Sequence, residues 1–331
     1  MKLSVLDQSP ISKGQTAAEA LQQTLQLAQY TEDLGYHRFW VAEHHNTNGL
    51  AGTSPEVLIS RIASVTHSIR VGSGGILLPQ YSPFKVAENF KTLEALFPGR
   101  IDLGMGRSPG GGKKTRLALT DGLEKPLSAF SRQVKQVHQF LHNDVPKGED
   151  YFGVSARPLT NSLPQTWVLG LSELGARRAA VNSTGFTFGH FINPENEASA
   201  LAAYRQNFKP SQHLTTPKVN VCIFAVCAET QDEAEELALS QDKWLLQVEK
   251  GLDTRIPSVQ EVIDYQFSND ELQKLNDNRR RALIGTPHFV AEQLQELSES
   301  FQVDEFLIIT NIFDFEAKKK SYRLLAEACK N

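Results

Sequence analysis

The chain has 331 residues, 40% of them hydrophobic and 22% charged, the balance of a globular protein with an extensive buried core. Lys and Arg total 34 against 38 Asp and Glu, a net charge of −4, and no basic stripe marks a nucleic-acid surface. No apolar run reaches membrane-spanning length, no leader pattern opens the chain and the three cysteines form no framework, which argues against a membrane protein or disulfide scaffold and for a reducing, cytoplasmic setting.

Short apolar runs alternate with helical patterns. Residues 2–6 read as a first strand, and Thr16 to Leu34 as a helix with Leu21, Leu25 and Ala28 on one face. Residues 38–42 form the second strand. The next helix, Pro55 to Thr66, has Ser54 as N-cap and proline at its first position. The third unit pairs a strand at 70–74 with a helix at 83–97, stopped by Pro98-Gly99. The fourth strand, 101–105, runs into a glycine-rich loop, 106–112, before a helix at 126–142. Residues 143–163 read as an irregular insertion. Strands at 166–169 and 186–190 follow, with helices at 173–181 and 194–208.

The seventh strand covers 219–228. Cys222 and Cys227 lie five apart in it, on opposite faces, which suits neither a disulfide nor a shared metal. A long helix from Asp232 to about Lys250 precedes a second insertion, 251–284. A helix at 287–300, an eighth strand at 305–309 and a helix at 316–330 close the chain, with Lys318, Lys319 and Lys320 read as a solvated face. Strict β-then-α alternation predicts a parallel sheet. Eight units favour a single-domain (β/α)8 TIM barrel over residues 1–331, with insertions after the fourth helix and between strands seven and eight. An open doubly wound sheet is the alternative.

In such barrels the site forms at the C-terminal strand ends. There stand Glu43-His44-His45 after strand two, Gly74-Gly75 after three, Gly106-Arg107-Ser108 after four, Gly170-Leu171-Ser172-Glu173 after five and His190 after six. Each also has a plain reading: the histidines as loop caps, the glycines as a turn, Arg107 as a surface ion pair, Ser172 as an N-cap. Read functionally, the glycines let backbone approach a ligand, Arg107 meets an anion and the helix opening at Ser172 offers N–H groups to phosphate. Gly104-Met105-Gly106-Arg107-Ser108-Pro109 lacks the last glycine of a dinucleotide fingerprint, and no P-loop is present. His138 and His142 are separated like the histidines of a zincin, but Gln139 replaces the required glutamate. No metal is expected.

The stretches 40–45 (WVAEHH), 72–79 (GSGGILLP), 98–107 (PGRIDLGMGR) and 285–287 (GTP), in this order, resemble the luciferase-like, flavin-dependent monooxygenases, over nearly the whole chain. The resemblance implies a barrel enzyme using reduced flavin mononucleotide (FMN), oxygen and a small organic substrate. It places His44 at the flavin–oxygen chemistry, with Glu43 or His45 orienting it. Gly74 and Gly75 would flank a non-proline cis peptide beside the flavin ring. Arg107, Ser172 and the Glu173 N–H, next to Leu171, would hold the phosphate. His190 would lie on the substrate side. Two positions depart from the pattern: Gly106 replaces the luciferase cysteine, and Gly175 replaces a second phosphate-side hydroxyl. Fewer phosphate contacts suit an enzyme that receives reduced flavin from a separate reductase. A homodimer is also implied. Hydride transfer with flavin or deazaflavin, and flavin binding without catalysis, are the rival readings. The substrate would meet loops 108–124 and 251–284.

Overall fold

Nine parallel strands, rich in Val, Ile and Phe, make up the sheet in a computed structural model that describes residues 1–330. They are β1 (Lys2–Asp7), β2 (Arg38–Val41), β3 (Arg70–Leu77), β4 (Ile101–Gly106), β5 (Gln165–Gly170), β6 (Gly185–Gly189), β7 (Val219–Cys227), β8 (Ala282–Gly285) and β9 (Glu305–Ile309). The ladder runs β6-β5-β4-β3-β2-β1-β9-β7, and β6 pairs with β7 to close it. Eight strands therefore form the closed barrel expected of a (β/α)8 fold. β8 adds to β7 only along Phe224–Cys227, beyond the last β6 pairing at Cys222.

The helices are set by local signals. Thr16 and Glu19 form a capping box before α1 (Ala17–Asp33). Prolines open α2 (Pro55–Val65) and α3 (Pro83–Leu96). α4 (Lys113–Leu119) and α5 (Phe130–His142) follow β4, and α6 (Glu173–Val181) is capped by Ser172. After α7 (Glu197–Asn207), Thr230 caps α8 (Gln231–Glu249). α9 (Val259–Ile263) and α10 (Asn269–Arg279) fill the second insertion, and α11 (Pro287–Phe301) and α12 (Phe315–Cys329) complete the layer.

Alternation along each strand splits the core in two. Val5, Phe39, Val71, Leu103, Val168, Phe186, Val221 and Phe306 face the helices. Leu6, Trp40, Trp167, Cys222, Phe224 and Leu307 fill the barrel interior. Trp40 and Trp167 meet edge to face at 5.6 Å, and glycines make room for them. A Cβ at Gly72 would stand 2.9 Å from the Trp40 indole nitrogen, and one at Gly185 would run into the Trp167 ring. Below this layer the interior is ionic. Arg38 joins Asp102 at 2.7 Å and Glu305 at 2.5 Å, and Arg70 holds the second Asp102 oxygen at 2.6 Å. Burial opposes charge on Asp102, but the Arg38 and Arg70 guanidiniums and the Trp40 N–H keep its pKa below the ordinary value.

Several expectations change. β3 runs on past Gly74 to Leu77, with a register shift against β4 between Ser73 and Ile76. A short helix, α4, follows the glycine-rich loop where none was expected before 126, and the second insertion ends in β8, four residues too short to show a period. Lys318 is not solvated: it is 6% exposed and its ammonium sits 2.8 Å from Asp7. Helix α12 packs on α1 and β7, which turns that position inward. All three cysteines are free, with Cys222 in the interior core and Cys227 in the outer one.

Candidate active site

At the ends of β1 and β2 the chain repeats one device. An acid points outward and is pinned, so the next polar residue points into the rim. Asp7 accepts hydrogen bonds from Ser9 N, Thr24 Oγ1 and Lys318 Nζ at 3.0, 2.7 and 2.8 Å. Gln8 then continues the inward phase of Ser4 and Leu6. Glu43 accepts from Leu77 N at 2.8 Å and from the Tyr81 hydroxyl, and its Oε1 lies 2.7 Å from His45 Nε2. His44 then continues the inward phase of Trp40 and Ala42. Each pair ends in a left-handed residue, Ser9 at φ 49° and Asn46 at φ 53°, which turns the chain off the strand.

The two inward residues meet, with Gln8 Nε2 3.4 Å from His44 Nε2. Gln8 is 8% exposed and its Oε1 has no partner among the described residues. Burial, and after it the neighbouring His45, push the His44 pKa down to about 4, so the ring is neutral at pH 7. Glu43 and His45 bond to each other and make no side-chain hydrogen bond to His44 among the described residues. The partner of His44 is Gln8, which the sequence reading missed because it ended the first strand at Leu6.

The peptide bond between Gly74 and Gly75 is cis. A Cβ on Gly74 would strike Leu6 Cδ1 at 2.5 Å, and one on Gly75 the Gly104 carbonyl oxygen at 2.7 Å. These two residues must lack side chains whether or not a ligand is bound. At Gly106 the nearest atom to such a Cβ is 3.5 Å away, so that position has room the other two lack.

Arg107 follows β4 and Ser172 follows β5, adjacent strands, so both stand on one sector of the rim. Arg107 is exposed and forms no ion pair among the described residues. Partial burial, and then the charge of Arg107, lower the pKa of Arg178 on α6. Two guanidiniums therefore share this sector. Ser172 Oγ accepts from Gly175 N at a long 3.5 Å, a weak cap that leaves the first N–H groups of α6 available. A Cβ on Gly175 would lie 3.3 Å from Gly170 Cα, so the missing hydroxyl reflects close packing of α6 on the end of β5. The Leu171 carbonyl accepts from Asn196 Nδ2 at 3.3 Å.

His190 is turned elsewhere. Its Nδ1 stands 2.5 Å from Glu197 Oε2, and Glu197 is wholly buried. The next residue, Phe191, packs on Phe224 of the interior core, so alternation directs His190 toward α7. The substrate-side expectation for this side chain gains no support from its orientation. Nothing in the sequence pairs His190 with Glu197, seven residues on.

The second insertion roofs the loop after β2. Asn48 Nδ2 donates to Asp253 at 3.0 Å, and Asn48 Oδ1 accepts from Thr254 Oγ1 at 2.9 Å. A Cβ on Gly49 would overlap the Thr254 carbonyl, so glycine there permits the contact. Among the described residues no group of three or more His, Cys, Asp or Glu has metal-holding geometry, and no helix is long and apolar enough to cross a membrane.

Known proteins match this chain over nearly its whole length. A family model described as luciferase-like monooxygenase matches residues 1–304. The Bacillus subtilis protein YceB is 54% identical over 98% of both chains. The N-acetyl-S-alkylcysteine monooxygenase of the same organism is 37% identical over 99% of this chain and 98% of its own. The crystal structure of apo-MsnO8 superposes with a TM-score of 0.92 at 35% identity, covering 99% of this chain and 98% of that one. A more distant structure, the FMN-bound oxygenating constituent of 3,6-diketocamphane monooxygenase from Pseudomonas putida, shares the fold at 18% identity, with a TM-score of 0.73 over 99% of this chain and 97% of its own.

Proposed function

The chain belongs to the luciferase-like monooxygenase family, and from that premise we propose that it is an FMN-dependent, two-component monooxygenase acting on a small organic substrate. The observation that carries this reading is the donor set at the ends of β4 and β5. Among the described residues Arg107 has no acidic partner, Arg178 adds a second positive charge, and α6 opens with free N–H groups behind Ser172. That set fits a phosphate by bidentate contact and helix-end donors.

The rim beside it suits the flavin ring. Gly74 and Gly75 present backbone without side chains, Gly106 leaves open space, and the orphaned Gln8 oxygen offers an acceptor. FMN bound there in its reduced form would supply the two electrons that activate dioxygen, one oxygen atom of which would go to the substrate and the other to water. The protein would bind the phosphate through Arg107, Ser172 and the Glu173 N–H, at the turn that Leu171 leads into. His44, kept neutral by burial, would place an uncharged imidazole beside the ring. Glu43 and His45 would fix the loop that carries it. The roof from the second insertion would keep water out. Gly175, in place of a second hydroxyl, leaves fewer side-chain contacts to the phosphate, which suits exchange of reduced flavin with a separate reductase.

Anaerobic titration with reduced and oxidised FMN tests the cofactor. Turnover under labelled dioxygen, with N-acetyl-S-alkylcysteine thioethers first in the panel, tests the reaction. The reading expects tighter binding of the reduced form and one labelled oxygen in the product. Equal affinity for both flavin states, or product without label, overturns it.

A further inference from the structure

We propose that Gln8 is the positioning residue of His44: its amide N–H donates to His44 Nε2, fixes the neutral ring with its proton on Nδ1, and so makes His44 a hydrogen-bond donor toward whatever binds at the rim. The inference rests on the placement of His44 beside the flavin set out above. It takes that reading one step further, from a neutral imidazole to a single tautomer of defined direction.

Three observations carry it. The 3.4 Å contact between Gln8 Nε2 and His44 Nε2 occupies one ring nitrogen. His44 makes no other side-chain hydrogen bond among the described residues, so Nδ1 is the nitrogen left to a ligand. The amide orientation follows from what surrounds it. Gln8 Oε1 is buried without a partner. Turning the amide over would bury an NH2 group, with two donors to satisfy, in place of that one oxygen. A single unpaired oxygen is the smaller cost. The orphaned oxygen is an acceptor left unused among the described residues.

The fold determines that the two side chains meet. Asp7 is held outward by Lys318 and Thr24, and Glu43 by Leu77 and Tyr81. Each side chain is the neighbour in sequence of a pinned acid on adjacent strands that pair Asp7 with Val41. Period-two alternation then aims both into the same point of the rim. No carboxylate joins them there: Asp7 and Glu43 both point away, and the titratable neighbour felt by His44 is His45. A neutral amide against a neutral imidazole is the pairing such a place tolerates.

The test uses ligand-free, full-length protein labelled with nitrogen-15 in histidine, with the His44 ring identified by its loss in His44→Gln. Wild type is expected to show a protonated Nδ1 and an unprotonated, hydrogen-bonded Nε2. Gln8→Glu is expected to move the proton to Nε2, which then donates to the carboxylate, and to raise the His44 midpoint by about one pH unit or more. Gln8→Leu should leave a mixture of tautomers. A proton on Nε2 in wild type, or the same tautomer and midpoint in wild type and both variants, overturns the proposal. Because no flavin or substrate is present, such a result would count against Gln8 alone. Unlabelled product in turnover would instead count against the monooxygenase reading.

Discussion

The buried carboxylate of Glu43 accepts the backbone N–H of Leu77 at 2.8 Å, and so ties the loop after β2 to the last residue of β3, two positions beyond the Gly74-Gly75 pair. The same carboxylate takes the Tyr81 hydroxyl and faces His45. Glu43 thus acts on the rim by fixing its frame.

That role makes Glu43→Gln informative. The amide keeps the shape, but loses the charge and replaces one acceptor oxygen with an NH2 donor that faces other donors. A loss of about 1–3 kcal/mol in urea unfolding is expected, together with weaker flavin binding. Unchanged stability would show that the carboxylate holds nothing.

Arg107→Ala should separate phosphate from ring. Losing a charge-assisted contact costs about 1.5–3 kcal/mol, which weakens reduced FMN by roughly 10- to 100-fold. Riboflavin, which has no phosphate, should bind both forms alike. Equal losses for the two ligands would place Arg107 elsewhere in the site.

The buried ionic layer at the other end of the barrel predicts a large effect far from the chemistry. Arg38→Met leaves Glu305 without a cation and Asp102 with Arg70 as its remaining cation. The expected cost is about 3–5 kcal/mol, since the remaining charge is buried without its partner. Adding Glu305→Gln should recover a large part of it. Denaturant titration of the single and double variants checks both statements, and a cost under about 1 kcal/mol for Arg38→Met contradicts them.

Acid should loosen the fold through a histidine cluster outside the site. Burial, and then His213, push the His138 pKa down to about 4. Burial, His213, His138 and Lys91, in that order, push His142 to about 3. The His142 and His213 rings stack at 3.4 Å, so charging both brings like charges together. These folded values lie below the 6.5 of a free ring, so the unfolded chain binds more protons in between. Stability is therefore full above pH 6.5 and falls as the pH drops from there toward 4 and 3. Tm measured from pH 7 to 4.5 should decline less steeply for His142→Gln than for wild type. Parallel curves would exclude the cluster.

The alternation of strands and helices was written in local signals: the capping boxes and prolines at helix starts, the apolar runs of the strands and the glycines at their ends. These act between residues a few positions apart, so the sequence by itself determined the barrel and named most of the rim. It did not reveal β8 or α4, too short to carry a period. Nor did it reveal that Lys318 reaches Asp7, that Glu43 reaches Leu77, or that Gln8 faces His44. Those contacts join segments 311, 34 and 36 residues apart. They exist only because closure brings β1, β2, β3 and α12 together, and because a pinned acid fixes which way the next side chain turns.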